Sequence, residues 1–138
     1  MKYFCSILIL LSVCSSSLVT ENAQQQVGSS CLPNPSFAIS SFQASPWPPA
    51  KYEYLALNMT GTFQQSFDVS SISFRIKLNN NWGDYEYVVN ENFNQGSTIS
   101  LTFYSYSGSQ SGNYLQEIFL MSTSGQILSC WQFIYAIS

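Results

Sequence analysis

Residues 112–137 read GNYLQEIFLMSTSGQILSCWQFIYAI, and this stretch predicts a β-hairpin. An apolar strand over residues 114–121 meets a turn at Ser124 and Gly125, where glycine permits the positive φ that a tight reversal requires. The second strand, over residues 127–137, alternates strictly, so its side chains fall on two faces. One face carries Ile127, Ser129, Trp131, Phe133 and Tyr135, and the other carries Leu128, Cys130, Gln132 and Ile134. The aromatic first face is therefore predicted to enclose the interior of the protein.

Short strands separated by turn signals continue through the rest of the chain. We predict them over residues 37–42, 52–63, 69–78, 84–90 and 97–106, with a proline-rich connector at residues 45–50 and loops at residues 79–83 and 92–96. The strand over residues 69–78 has the cleanest pattern, because Ile72, Phe74 and Ile76 alternate with polar residues. No segment shows helical periodicity. Roughly six or seven such strands predict an all-β fold, an antiparallel β-sandwich in a single domain.

The front of the chain predicts a secretory signal peptide over residues 1–20. Met1 and Lys2 supply a basic start, residues 4–13 are apolar, and residues 15–17 are small and polar. The apolar run is too short to span a bilayer, although a signal anchor is the alternative on length alone. We expect cleavage between residues 17 and 23, a flexible polar tail over residues 21–30 and the folded domain over residues 31–138.

Two cysteines remain after cleavage. Cys31 and Cys130 form an even count in an oxidising compartment, so we predict a disulfide between them, with two free thiols as the alternative. A loop of this length stabilises a fold by roughly 4–5 kcal/mol in the chain-entropy model. In the same exported chain, Asn58-Met59-Thr60 is an N-glycosylation sequon, and a glycan on Asn58 requires that side chain to face solvent.

The composition excludes several classes of function. The sequence holds seven acidic and four basic residues and no histidine. It has no basic patch for nucleic acid, no histidine-based catalysis and no histidine-based metal site. Asp84 and Glu86 share a strand face as a glycosidase pair would, and with Asp68 and Glu91 they offer oxygens for calcium, but a solvated rim explains them better. We expect no catalytic residue, no metal site, no cofactor and no enzymatic activity.

The abundance of aromatic side chains is a first indication of an internal cavity. Aromatic residues make up 16% of the sequence and charged residues only 8%. The positions predicted to line that cavity are Leu57, Met59, Phe74, Ile76, Leu78, Ile99, Leu101, Phe103, Ile118, Trp131, Phe133 and Tyr135. The alternative is an ordinary packed core made of the same residues, because any sandwich needs two apolar faces.

Several short motifs, in their order along the chain, resemble a known family. These are an N-terminal cysteine, the connector SPWPP, a long strand closing on glycine, the GNY strand and the final ILSCWQFIYAI. Together they cover residues 31–137 and resemble the MD-2-related lipid-recognition domain. The last strand is similar to that of the Niemann-Pick type C2 sterol carriers, and the SPWPP and GNY segments are more similar to the phosphatidylglycerol/phosphatidylinositol transfer proteins.

The resemblance implies an immunoglobulin-like sandwich that holds a lipid between its two sheets. By position it implies the Cys31–Cys130 bridge, a lining role for Trp131, Phe133 and Tyr135, and a further lining position at Tyr114. It also selects Tyr114, Ile118 and Leu120 as the inward face of a strand whose other face, Leu115, Phe119 and Met121, is equally apolar. The chain lacks the further cysteines that family members carry in mid-domain, so no single branch supplies the ligand class.

These observations predict a secreted protein, extracellular or endolysosomal, that binds or transfers a sterol or a phospholipid. We expect a monomer that contacts membranes transiently and binds no nucleic acid. The alternative is a secreted immunoglobulin-like adhesion or recognition module with a solid core, in which exposed Trp47 and Trp82 contact a protein or glycan partner. Lys51, Arg75 and Lys77 are the basic residues available for a phosphate, although Arg75 and Lys77 are expected on the solvent face of their strand.

Overall fold

Two antiparallel sheets pack face to face in the computed structural model, which describes residues 24–138. The predicted signal peptide lies outside these residues. The strands are β1 (Gln25–Gln26), β2 (Ser29–Ser30), β3 (Phe37–Ser45), β4 (Tyr54–Phe63), β5 (Phe67–Leu78), β6 (Asn81–Phe93), β7 (Thr98–Tyr106), β8 (Gly112–Ser122) and β9 (Ile127–Ile137). Sheet A has the order β1-β3-β4-β7, and sheet B has the order β2-β9-β8-β5-β6. The predicted antiparallel β-sandwich is confirmed, and within residues 24–138 no helix is long and apolar enough to cross a membrane.

Strands β8 and β9 form the predicted hairpin, with Gly125 at a φ of 83° in the turn. The strict alternation predicted for β9 is wrong at its beginning. A β-bulge shifts the register so that Leu120 pairs with Ser129 and Met121 with Ile127, which leaves Leu128 without a partner. Because one extra residue reverses the direction of the side chains, Leu128 is buried and Ile127 is 44% exposed.

Strand β6 is longer than predicted and includes half of the residues of the two predicted loops beside it. It begins at Asn81 and ends at Phe93, so the turn after β5 contains only Asn79 and Asn80. Asn79 adopts a φ of 55°, a left-handed conformation that asparagine tolerates better than other side chains. A two-residue turn therefore suffices where the sequence predicts a loop.

The polar segment before Cys31, where the sequence predicts a flexible tail, crosses from one sheet to the other. Strand β1 pairs with β3 in sheet A, and β2 pairs with β9 in sheet B. Between them Val27 is buried, its N–H donates to the Phe42 carbonyl at 3.0 Å, and its carbonyl accepts from Trp131 Nε1 at 2.9 Å. We call residues 25–30 the crossover; it closes the edge of the sandwich formed by β3 and β9.

The crossover contains one position that requires glycine. Gly28 has a φ of 75°, and a Cβ built on it would lie 2.2 Å from the Gln132 carbonyl oxygen. Immediately after the crossover, the predicted disulfide between Cys31 and Cys130 is present. Cys31 also donates its N–H to the Cys130 carbonyl at 3.0 Å, so a backbone hydrogen bond and the disulfide link the same two residues.

Candidate functional site

Every residue predicted to line an internal site faces the space between the two sheets. Leu57, Met59, Phe74, Phe103, Tyr114, Ile118, Phe133 and Tyr135 are buried there, and Ile76, Leu78, Ile99, Leu101 and Trp131 are half-buried against them. The inward face of β8 carries Tyr114, Ile118 and Leu120, as the family resemblance implies. The structure thus brings the whole predicted set into one cluster.

At one edge of this interior, no segment of residues 24–138 bridges the two sheets as the crossover does at the other edge. Strands β6 and β7 end their respective sheets, and they pair with β5 and β4 but not with each other. Along this edge five apolar side chains remain half-buried although they belong to the core cluster. We call them the β6–β7 seam: Ile76, Leu78, Val89, Ile99 and Leu101. The seam is thus an accessible apolar part of the interior.

A chain of hydrogen bonds crosses the interior at one end of the sandwich. The Tyr85 hydroxyl donates to Ser105 Oγ at 2.7 Å, and that hydroxyl donates to Gln116 Oε1 at 2.6 Å. Gln116 Nε2 donates to the Tyr135 hydroxyl at 2.8 Å, which in turn donates to the Ser107 carbonyl at 2.7 Å. We call these five residues the Gln116 network; Gln116 itself is 0% exposed.

The Gln116 network is electrically neutral. A buried amide is tolerated because both its oxygen and its nitrogen are hydrogen-bonded. Burial raises the pKa of Tyr85 to about 12, against a smaller lowering by the hydrogen bond to Ser105. Burial likewise raises the pKa of Tyr135 to about 12. Both phenols therefore remain protonated donors at neutral pH.

The opposite end of the interior is aromatic. The Phe37 and Phe63 rings lie 4.7 Å apart, and Phe93 stacks on Phe63 at 4.9 Å. These residues come from β3, β4 and β6, at the ends of the strands farthest from Gln116 in the register. The interior is therefore amphipathic along its length, polar at the Gln116 network and apolar at the Phe63 cluster, which consists of Phe37, Phe63 and Phe93.

Side chains fill the centre of the interior. Phe42, Phe74 and Phe103 are 0% exposed, and the rings of Phe74 and Phe103 meet edge to face at 5.5 Å. Open clefts lie beside this packed centre. One, of about 480 Å³, is lined by Lys77, Asn79, Asn113, Tyr114, Leu115, Ile134 and Tyr135. Another, of about 390 Å³, reaches Trp47 and Phe133 next to the crossover.

Two of the three basic residues considered for a phosphate, Arg75 and Lys77, lie outside the interior. The third, Lys51, follows Ala50, whose carbonyl accepts from Ser107 Oγ at 2.6 Å. Arg75 is on the outer face of sheet B, with its Nε 3.7 Å from Asp84 and one terminal nitrogen 3.5 Å from Glu117. Its guanidinium also lies over the Trp82 ring at 4.3 Å, with the Lys77 ammonium at 5.4 Å from the same ring. These groups contact one another on the protein surface, where exposed ion pairs contribute little to stability.

The acidic pair considered for catalysis lies on the same outer face. Asp84 pairs with Arg75, and Glu86 accepts a hydrogen bond from Ser71. Both carboxylates are on the exposed edge strand β6, and neither lies between the sheets. The arrangement is that of a solvated rim.

The two tryptophans considered for partner contact differ from each other. Trp82 is 42% exposed, whereas Trp47 is half-buried and packs edge to face on Phe133 at 5.7 Å and on Tyr135 at 6.1 Å. The prediction of an exposed Trp47 is wrong, because the proline-rich connector folds this ring over the interior. Trp47 covers the aromatic face of β9.

Asn58 lies on the outer face of β4, and its side chain is half-buried. Its Nδ2 donates to Thr102 Oγ1 at 3.0 Å, and its Oδ1 accepts from Thr60 at 3.3 Å. The side chain points away from the interior, as a glycosylation site requires, but its amide nitrogen is engaged by β7.

Gln116 and Ser105 are the site residues that sequence analysis misses. Each occupies an inward position on a strand whose other inward residues are apolar, such as Ile118 on β8 and Phe103 on β7. The alternation of each strand places these polar residues on its apolar face, and this isolated polar position is the pattern that could have identified them. It was masked on β8 because both faces of that strand are apolar.

Comparisons with known proteins support the fold. No family model matches the chain, and no curated protein matches it. The solved structures it resembles include a Niemann-Pick type C2 protein from Japanese carpenter ant, with a TM-score of 0.64, 11% identity and coverage of 81% of this chain and 99% of that one. Chicken MD-1 complexed with lipid IVa matches with a TM-score of 0.59 and 12% identity, covering 84% of this chain and 99% of that one.

The C-terminal domain of wzt also matches, with a TM-score of 0.59 and 14% identity over 86% of this chain and 79% of that one. At such low identities the likeness shows the fold alone. The chain thus shares the two-sheet sandwich fold of these solved structures, which is the fold that its sequence motifs imply.

Proposed function

We propose that this protein binds a lipid between its two sheets and is not an enzyme. The observation that carries the proposal is the β6–β7 seam, where apolar side chains that face the interior remain half-buried. An apolar strip of this kind normally marks a binding surface when no strand covers it. The ligand would contact the seam and the thirteen lining positions predicted from the sequence.

The energetics of burial support this proposal. Each methylene removed from water contributes about 0.8 kcal/mol, so an acyl chain or a sterol body contributes on the order of 10 kcal/mol before ordering costs. The ligand must displace side chains such as Phe103 from the packed centre, which costs part of that energy. Phenylalanine rings that contact one another edge to face can repack around an apolar ligand without leaving a polar group unsatisfied.

Two independent likenesses support the same proposal. The motifs resemble a lipid-recognition family, and chicken MD-1, which has a similar fold, was solved in complex with lipid IVa. We propose that the chain is exported, which the Cys31–Cys130 disulfide supports, and that it acts as a monomer outside the cell or in an endolysosomal lumen. Transient membrane contact would then deliver or collect the lipid.

Native mass spectrometry of the secreted protein, followed by solvent extraction, tests the proposal directly. The wild type should carry a discrete lipid mass. Leu101→Asp, in the seam, should abolish it, whereas Leu115→Asp is the matched control because Leu115 is equally half-buried but lies on the outer face of β8. A bare polypeptide mass that takes up no added sterol or phospholipid would refute lipid binding. Equal loss in both variants would refute the assigned site.

A second candidate function is a solid-core recognition module. The packed centre favours it, because Phe42, Phe74 and Phe103 already fill the space between the sheets. In this case Trp82, which is 42% exposed, would contact a partner. A protein that takes up no lipid but loses partner binding in Trp82→Ala would establish this function instead.

We also propose that Asn58 carries an N-linked glycan. Its sequon and its place on the outer face of β4 support this. Glycosylation would require Asn58 to release its hydrogen bond to Thr102. A mass shift on enzymatic deglycosylation, absent in Asn58→Gln, is the expected result, and no shift in the wild type would refute the proposal.

A further inference from the structure

Gln116 is a buried polar residue among apolar neighbours. In the register of sheet B it lies between Ile76 on β5 and Phe133 on β9. Its neighbours on the inward face of β8 are Tyr114 and Ile118. Replacing a buried hydrogen-bonded group together with its partners by apolar groups of similar shape is often neutral or stabilising. The polar network therefore points to a role other than holding the fold together.

The Gln116 network has spare capacity for one more hydrogen-bonding group. The amide oxygen of Gln116 accepts one hydrogen bond, from Ser105, and an amide oxygen can accept two. The Tyr85 hydroxyl donates to Ser105, and its own oxygen can still accept. A ligand hydroxyl placed beside these atoms could donate to Gln116 Oε1 or to the Tyr85 oxygen without breaking the chain.

The surroundings of the network disfavour a charged ligand group. None of the five residues of the Gln116 network is charged, and both of its tyrosines are held in the protonated form. Arg75 and Lys77 lie on the outer face of sheet B, beside the Trp82 ring. A phosphate buried at Gln116 would find no cation among the network residues, and burying an unpaired charge is costly.

On the basis of the proposed lipid binding, we infer that the Gln116 network recognises the uncharged hydroxyl group of a neutral lipid. Sterols and long-chain alcohols share this chemistry. The hydroxyl lies at Gln116 and Tyr85, while the apolar body extends along the seam towards the Phe63 cluster. The ligand is thus inserted with its polar end at a buried site, and Gln116 selects for the hydroxyl.

The inference is tested with pairs of probes that differ in one hydroxyl group: cholesterol against cholest-5-ene, and 1-hexadecanol against hexadecane, each delivered from cyclodextrin. Phosphatidylglycerol vesicles supply an anionic lipid. The wild type should bind the hydroxyl-bearing member of a pair about tenfold more tightly, the effect of one net hydrogen bond. Gln116→Leu should bind both members of that pair equally.

Tyr135→Phe is a second, more conservative variant, because it removes only the hydroxyl that Gln116 Nε2 contacts. Its preference for the hydroxyl should fall several-fold. Tyr104→Phe is the control: it removes a hydroxyl from β7 beside Ser105 but on the outer face, where Tyr104 is 60% exposed. Tyr104→Phe should keep the wild-type preference.

The outcomes separate this inference from the proposed function. Equal affinity of the wild type for both members of a pair, or binding of phosphatidylglycerol in preference to every hydroxyl-bearing probe, would overturn the inference and leave lipid binding intact. Binding of no lipid at all would overturn both. If Gln116→Leu does not fold, the relative affinities of the wild type for the two members of a probe pair still test the inference.

Discussion

The two edges of the sandwich are built in opposite ways. At the β3–β9 edge the crossover passes from sheet A to sheet B, Val27 is hydrogen-bonded to both sheets, and the Cys31–Cys130 disulfide follows. At the β6–β7 edge no backbone segment of residues 24–138 passes between the sheets. The hydrogen bond between Tyr85 and Ser105 is the one that joins a β6 side chain to a β7 side chain among residues 24–138.

This difference indicates where the two sheets can separate. Opening the β3–β9 edge would pull the crossover away from one sheet, breaking the hydrogen bonds of Val27 and exposing its buried side chain. Opening the β6–β7 edge would break the hydrogen bond between Tyr85 and Ser105 and the aromatic contacts made by Phe93 and Phe103, and the seam side chains there are already half-buried. Regions with few buried contacts open at lower free energy than the rest of a fold. We therefore expect the β3–β9 edge to act as a hinge and the β6–β7 edge as the route of ligand access.

Removing the disulfide should have the largest effect. The Cys31→Ser, Cys130→Ser double variant releases a link between residues 99 apart, and we expect a loss of about 4–5 kcal/mol in the free energy of unfolding. Chemical denaturation measures this loss. A loss below about 1 kcal/mol would mean that the crossover alone holds the edge closed.

Two glycine substitutions compare the edges directly. Gly28→Ala, in the crossover, forces a side chain into a φ of 75° and against the Gln132 backbone, so we expect a loss on the order of 2 kcal/mol. Gly83→Ala, on β6, meets no atom within 4 Å, so we expect a change within about 0.5 kcal/mol. Denaturant midpoints of the two variants give the comparison, and similar losses at both positions would contradict it.

Tyr85→Phe should loosen the open edge with a smaller effect on global stability. It removes the hydrogen bond to Ser105 but keeps the ring stacked on Phe74 at 4.3 Å, so we expect a loss of about 1 kcal/mol. Hydrogen exchange should accelerate in β6 and β7 and stay unchanged in the crossover. Faster hydrogen exchange at both edges would show that the separation of the sheets is not confined to the β6–β7 edge.

Alkaline pH should weaken the polar contacts at the Gln116 end but not those of the crossover. Burial raises the pKa of Tyr135 to about 12 from its ordinary 10, so folding favours the protonated phenol. The resulting stability is present below pH 10 and is lost as the pH rises towards 12. Tyr135→Phe should flatten the fall in unfolding free energy over this range, and an unchanged slope would contradict the assignment.

The sequence predicts the sandwich well because its long strands carry their own pattern. Alternation in β5 and β9 identifies their inward faces, and the count of cysteines that remain after the predicted signal peptide identifies the disulfide. The same pattern does not reveal the bulge at Leu128, because a bulge depends on how β9 meets β8. It also does not reveal the crossover, since Gln25–Gln26 and Ser29–Ser30 are too short and too polar to alternate visibly.

The site is predicted less completely than the fold. The apolar lining follows from the alternation of the strands. The sequence pattern does not show whether Phe74 and Phe103 surround a ligand or fill the space between the sheets themselves, because this depends on tertiary packing. Gln116 is recognised only once its partners Ser105 and Tyr135 are seen beside it. These residues are distant in sequence and converge only in the folded sandwich.

The position of β6 has a consequence for association between molecules. A long strand at the end of a sheet offers unpaired backbone groups to which a second chain can add. Here Asp84, Glu86 and Glu91 lie along that strand, so two copies aligned edge to edge would bring like charges together. Asn90, with a φ of 47°, also interrupts its extended geometry. The features that leave the edge free for a ligand are thus accompanied by features that discourage polymerisation.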